Sequence, residues 1–279
     1  MEHRIDHVTV AGRDLDRLTE AFSAAGLPVE YGGHHSNGVT HMAIVGFPDG
    51  SYIELISKHT ADTHSPWWNS AIDNNTGPCA WAIGVDDIET TTAAFRDRGV
   101  TVDGPTAYER ERDDGTLVEW DLTSLEDGDP GTRLPFLIAD RTPRERRVQP
   151  TGDLATSPVH GIDTVVLGVP DLTTAVDAFT TAFDAQEPTR TTCADLHADV
   201  ASFPDLPVML AEPTEDGWLA ERVSRTGTLP VAYLIGCERG ADHGFENLTT
   251  GSIADRSVEW LPVTHPVGHR YLGLVAERS

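Results

Sequence analysis

Two residues in the first fifth of the chain have side chains that do not suit their surroundings. His7 lies inside the apolar run Ile5-Asp6-His7-Val8-Thr9-Val10-Ala11, and Glu54 lies inside Tyr52-Ile53-Glu54-Leu55-Ile56. Both runs read as strands, whose interiors ordinarily carry apolar residues, so an imidazole and a carboxylate there need a chemical reason. Alternation places Tyr52 and Ile56 on the same face as Glu54. Three readings stand. With a further imidazole, the pair suits a divalent ion with open positions for a substrate oxygen. Without metal, His7 and Glu54 satisfy one another in a polar pocket, where Glu54 is a candidate general base. In the third, Glu54 faces solvent.

Arg110 and Arg112 share one strand face, with Glu111 opposite. Two guanidinium groups lining a pocket would bind a carboxylate, enolate or phosphate bidentately. The alternative is surface pairing with Glu109, Glu111, Asp113 and Asp114. Trp120 reads as packing against its own sheet, with ligand stacking as the other role. His34 and His35 sit in a glycine-containing loop placed to lid the same cup, and the Trp67-Trp68 pair covers either a mouth of the cup or an interface. His243, His265 and His269 lie in turn-like sequence and read as structural or surface residues. No G-x-S-x-G, Walker loop or dinucleotide fingerprint occurs, which removes the usual support for triad hydrolysis, nucleotide hydrolysis and NAD chemistry.

The elements that position these residues repeat. The stretch from Ile5 to Leu15 returns nearly register for register from Ile162 to Leu172, and more weakly from Ala80 to Ile88. Each copy is an apolar strand, a polar turn and an aspartate (Asp14, Asp171 or Asp87) suited to cap a helix. Phe22 and Gly26 follow Asp14 at the same spacing as Phe95 and Gly99 follow Asp87, fixing core and stop positions alike. Strands at 39–47 and 51–57 complete a βαβββ unit, and those at 108–112, 116–122 and 134–138, around the turn Asp113-Asp114-Gly115, complete a second. The predicted architecture is α+β, with repeated βαβββ modules forming cupped mixed sheets. It divides into a domain of two modules at 1–142, a linker at 143–158 and a more divergent domain at 159–279. A module ending the chain has no recognisable helix.

Composition narrows the partners. A formal charge of −25 over 279 residues argues against nucleic acid or an anionic membrane as partner. Lys58 is the only lysine, and acid is spread along the whole chain, as in adaptation to a salty, halophilic cytoplasm. Three well-separated cysteines without a CxxC pair fit a reduced, cytoplasmic protein. No apolar leader or stretch of 18 apolar residues is evident.

With Asp6-His7-Val8, Gly38-Val39-Thr40-His41, Tyr52-Ile53-Glu54-Leu55-Ile56, Arg110 to Gly115, Trp120-Asp121-Leu122 and Leu134 to Ile138, the chain resembles the glyoxalase/bleomycin-resistance/extradiol dioxygenase (vicinal oxygen chelate) superfamily. Within it, the chain is most similar to the uncharacterised glyoxalase-like domain family. The resemblance covers residues 4–140 well and returns over 160–212. It implies a metal between modules, each giving a His or Gln from its first strand and a Glu from its fourth. Carried over, these are His7 and Glu54 in the first module. The second has Ala80 and Phe136-Leu137-Ile138 there, and the third has Thr164 and Val208-Met209-Leu210, so the pattern is kept in one of three modules. The implied strand order sets the third strand beside the fourth, bringing His41 to His7 and Glu54. The resulting expectation is one divalent metal (Zn, Mn, Fe or Ni) on His7, Glu54 and His41, or none. Arg110, Arg112, Trp120 and His41 would bind a small polar organic anion. The activity would be isomerase, lyase or dioxygenase; the alternative is a non-catalytic binding or resistance-type protein. Either a monomer or a homodimer completes such cups.

Overall fold

The repeated strand and capped helix organise the whole chain. In the computed structural model, which describes residues 3–112 and 114–276, the first unit is β1 (Arg4–Ala11), α1 (Leu15–Ala24), β2 (Glu30–His34), β3 (Thr40–Gly46) and β4 (Tyr52–Lys58). A short helix α2 (Asn69–Asp73) precedes the second unit, β5 (Gly77–Gly84), α3 (Ile88–Asp97), β6 (Asp103–Glu111), β7 (Leu117–Ser124) and β8 (Phe136–Asp140). The third is β9 (Val159–Gly168), α4 (Leu172–Phe183), β10 (Thr189–Cys193), β11 (Ala198–Ser202) and β12 (Val208–Pro213). After α5 (Trp218–Thr226) come β13 (Leu229–Cys237), β14 (Thr249–Ile253), β15 (Arg256–Trp260) and β16 (Leu272–Ala276), with no helix between β13 and β14. Asp113, assigned by the sequence to a turn, lies outside the described residues.

The caps form as the sequence predicts. Asp14, Asp87 and Asp171 accept from the backbone N–H of Arg17, Thr90 and Thr174 at 3.2, 3.0 and 2.6 Å. Each such cap is worth about 1 kcal/mol. Leu15, Leu18 and Phe22 form the buried stripe of α1, and burying side chains of this size contributes about 1.5–3 kcal/mol apiece.

Two mixed eight-stranded sheets result, each curled into a half-barrel. Their orders are β2-β3-β4-β1-β5-β8-β7-β6 and β10-β11-β12-β9-β13-β16-β15-β14, so the topology is used twice. β1 pairs in parallel with β4 and antiparallel with β5. Alternation divides β4 cleanly: Ile53 and Leu55 join the apolar core with α1, while Tyr52, Glu54 and Ile56 face the cup. That core continues through both sheets, with Trp81 stacked on Phe179 at 6.4 Å between centroids.

The segment 143–158 is docked along the first sheet. It makes two 3-10 turns, buries Val148 and Leu154, and pairs Thr151 N–H with the Gly46 carbonyl at 3.0 Å. Sequence patterning missed β10, β14 and α5. The two strands are mostly exposed edges without apolar alternation, and α5 starts at Gly217 with no side-chain cap. β2 also runs through Gly32 to His34, where turn-forming composition suggested a loop.

Candidate functional site

A bulge in β1 shapes the site. Ile5 pairs with Ile83 and His7 with Ala82, leaving Asp6 as an extra residue between them. The bulge reverses the alternation, so Ile5 packs in the core while His7 faces the cup. It also lets neighbouring side chains meet: Asp6 Oδ1 lies 2.6 Å from His7 Nδ1. Asp6 is buried and accepts from Arg147 Nη1 and Nη2 at 2.8 and 2.7 Å and from Arg144. Burial alone would raise the Asp6 carboxyl, but Arg147 and His7 hold it well below the usual carboxylate range. An ionised carboxylate only accepts, so Nδ1 of a neutral His7 carries the proton and Nε2 keeps a free lone pair. The His7 ring stacks on Tyr52 at 4.6 Å.

Glu54 occupies the next cup-facing position along β4. It accepts from the Thr9 hydroxyl at 3.1 Å through Oε2, while His35 Nε2 lies 3.1 Å from Oε1. His35 Nδ1 is 2.8 Å from the Thr40 hydroxyl. Burial pushes the Glu54 carboxyl up, but His35, His7 and Thr9 together pull it below its ordinary value. Glu54 is therefore a held negative charge, a poorer proton acceptor than a solvated carboxylate.

These groups line a cavity of about 240 Å³. Its opposite wall is aromatic and apolar: Trp67, Trp68, Tyr108, Trp120, Phe136 and Ile138. Trp120 stacks on Tyr108 at 6.3 Å, and Trp68 donates its indole N–H to the Pro130 carbonyl at 2.9 Å. Arg110 is 7% exposed and enters from β6, donating to the carbonyls of Gly32 and, at 3.2 Å, Arg147. Among the described residues no carboxylate lies within ion-pair distance of it, and burial lowers its pKa from the ordinary value. A buried guanidinium held only by carbonyls is a ready partner for an anion.

Of the residues singled out in sequence, the structure brings together His7, Glu54, Arg110 and Trp120. It separates two. His41 pairs across β3 and β4 with Ser57, whereas Met42 pairs with Ile56 and Ile44 with Glu54, so His41 points away from the cup. It stacks instead on His34 at 5.8 Å, near His59. The error was one of strand parity. Arg112 lies beyond the end of β6, exposed, and donates to the Arg146 carbonyl at 2.9 Å. His35 enters the cup from the loop placed to lid it, and Trp67 and Trp68 line the cup, one of the two placements the sequence leaves open. Missed entirely were Asp6, Arg144 and Arg147; their only signal was an acid beside a strand histidine and an arginine-rich linker.

The donor set does not fit a chelated divalent ion. Both Glu54 oxygens already have partners, His41 lies on the other face, and the pseudo-equivalent positions in the second unit are Ala80 and Phe136, which leaves His7 Nε2 without the further ligands a divalent ion needs. Among the described residues, no three His, Cys, Asp or Glu side chains are arranged to hold a metal.

The doubled βαβββ fold and its polar-floored cup define a glyoxalase/dioxygenase-like protein. The pattern of the "Glyoxalase-like domain" matches residues 5–183, and the chain belongs to that family. Nothing among curated proteins matches it. Among solved structures, a hypothetical protein from Staphylococcus aureus is similar over 99% of both chains at 16% identity and a TM-score of 0.64. A 4-hydroxymandelate synthase mutant from Streptomyces coelicolor is similar over 99% of this chain and 92% of its own, at 12% identity and a TM-score of 0.59. A methylmalonyl-CoA epimerase variant from Streptomyces coelicolor, in complex with 2-nitronate-propionyl-CoA, matches 51% of this chain and 97% of its own at 24% identity and a TM-score of 0.38. The first two of these structures share the glyoxalase/dioxygenase-like fold over nearly the whole chain.

Proposed function

We propose that the cup carries out metal-independent acid–base chemistry, of isomerase or lyase type, on a small organic anion with an apolar body. The observation that carries this reading is the pairing of two features in one cavity: His7, held at Nδ1 by an ionised aspartate, and Arg110, a buried guanidinium with no ion pair among the described residues. Arg110 takes the anionic end of the ligand, and the Trp67, Tyr108 and Trp120 wall takes the body. His7 Nε2 accepts a proton from the carbon next to the substrate's carbonyl. The enolate electrons rest on the carbonyl oxygen, stabilised by the guanidinium charge, and the imidazolium returns the proton. Glu54 and His35 form the floor and balance charge. The cavity is lined by residues from 7 to 147 of a single chain, which supports a site that needs no second copy. A cytoplasmic location and adaptation to high salt belong to the same proposal and rest on composition.

The test is solvent exchange. A panel of small 2-oxo acids and aryl-substituted carboxylic acids is incubated with the protein in D₂O, and deuterium entering at the α carbon is followed by NMR. Incorporation that falls about 10²-fold or more in H7Q, with ligand binding retained, supports the reading. Saturable binding without exchange in the wild type would instead establish the non-catalytic binding protein. Stoichiometric metal on elemental analysis, lost in both H7Q and E54Q, would overturn the metal-independent mechanism.

A further inference from the structure

The second half repeats the device that orients His7, with one change. Leu234 pairs with Thr164 and Ile235 with Ile162, so Asp163 is the extra residue of a bulge in β9, as Asp6 is in β1. Asp163 again bonds the following side chain, accepting from the Thr164 hydroxyl at 2.5 Å, and again pairs with an arginine, Arg256. Arg256 also donates to Thr164 Oγ1 at 3.1 Å and to the Ala276 carbonyl at 2.9 Å. Threonine in place of histidine removes the base and keeps the scaffold. A second cleft of about 880 Å³ opens beside it.

Three arginines line that cleft: Arg190 from β10, Arg239 after β13, and Arg256. Among the described residues Arg190 and Arg239 form no ion pair; Asp255 is in the lining, and Asp163 pairs with Arg256. Thr189, Thr191, Ser202 and Ser257 line the same space. The Ser202 hydroxyl is buried and has no hydrogen-bond partner among the described residues. On a chain of net charge −25, three guanidiniums against one carboxylate in the lining are a local reversal of sign. Guanidinium forks with hydroxyl donors match a multiply charged tetrahedral oxyanion, because each fork bonds two oxygens at once.

We propose that this cleft is a second, non-catalytic site that binds a small phosphate-bearing polyanion. Arg256, fixed by Asp163, sets the position of the site, and Arg190 and Arg239 close on the ligand from either side. The site is separate from the cup that holds His7.

Inorganic pyrophosphate titrated calorimetrically into the full chain at about 0.15 M salt tests this. The expected result is one saturable site per chain, weakened about tenfold or more in R190A/R239A, whose side chains are exposed and whose unchanged unfolding midpoint serves as the check on the fold. R96A/R225A, which removes two other exposed arginines, should bind as the wild type does. Absence of a saturable isotherm overturns the proposal, as does an equal loss in R96A/R225A, which would mean diffuse charge alone. Loss confined to R110A would place the anion in the first cup and would equally overturn it.

Discussion

Replacing Asp6 with asparagine keeps the shape of the side chain and removes the charge on which the site is built. The Asp6 and Arg147 side chains are 1% and 4% exposed. In D6N one carboxylate oxygen becomes an NH2, so Arg147 loses the charge pairing and one of its two bonds to Asp6 at 2.7 and 2.8 Å, and either Arg144 or His7 Nδ1 loses its acceptor, according to which way the amide turns. Removing one partner of a buried ion pair costs about 3–5 kcal/mol, since the other charge stays buried and unpaired. Arg147 retains Asp140 at 2.6 Å, which places the expected loss at the lower end, about 3 kcal/mol. Urea unfolding followed by tryptophan fluorescence measures it. The double variant D6N/R147M should lose less than the sum of its singles by about 1–3 kcal/mol. The sign with pH follows from the depressed Asp6 pKa in the folded state. Stabilisation is complete above the unfolded carboxylate value of about 3.9 and is lost as pH falls through the lower folded value. The gap between wild type and D6N should therefore hold constant from neutral pH to about pH 5 and close in stronger acid. A gap below about 1 kcal/mol at neutral pH, or one that widens in acid, would refute the assignment of Asp6 as a buried, arginine-held carboxylate.

Other outcomes follow from the same packing. K58M removes an ammonium that bonds the Thr63 carbonyl at 2.8 Å, Asn69 at 3.0 Å and Asp73 at 2.6 Å; hydrogen exchange should speed up across 60–76, and ligand affinity should fall as the Trp67–Trp68 wall loosens. R222M withdraws a guanidinium that donates to the carbonyls of Thr76, Pro78 and Pro230 at 2.7, 2.7 and 2.9 Å. Three buried acceptors left without donors should cost about 3 kcal/mol or more, read by denaturant unfolding. G46A sets a Cβ 2.1 Å from the Gln149 carbonyl, so the docked 143–158 segment must shift; a loss of about 1–3 kcal/mol and faster proteolysis there are expected. In fluorescence titrations, W120L should weaken ligands with an aromatic body more than aliphatic anions of equal charge, because only the former gain from stacking.

The alternation of Tyr52, Glu54 and Ile56, the aspartate caps and the recurrence of strand and helix were legible because each depends on residues a few positions apart. They determine the α+β modules and place His7 and Glu54 in strands. The site itself depends on contacts that local pattern does not encode. Whether His7 faces the cup hinges on one extra residue in the pairing of β1 with β5, and a one-residue change of parity sends His41 to the opposite face. Asp6 meets Arg147 141 positions away, through a segment whose composition reads as a connector. Arg110 and Arg112 look equivalent in sequence, yet one is buried against carbonyls and the other lies past the end of its strand. Local sequence determined which groups were available, and tertiary register and long-range burial decided which of them meet, because a bulge or a docked loop can move a charged group from solvent into a cavity without leaving a periodic trace.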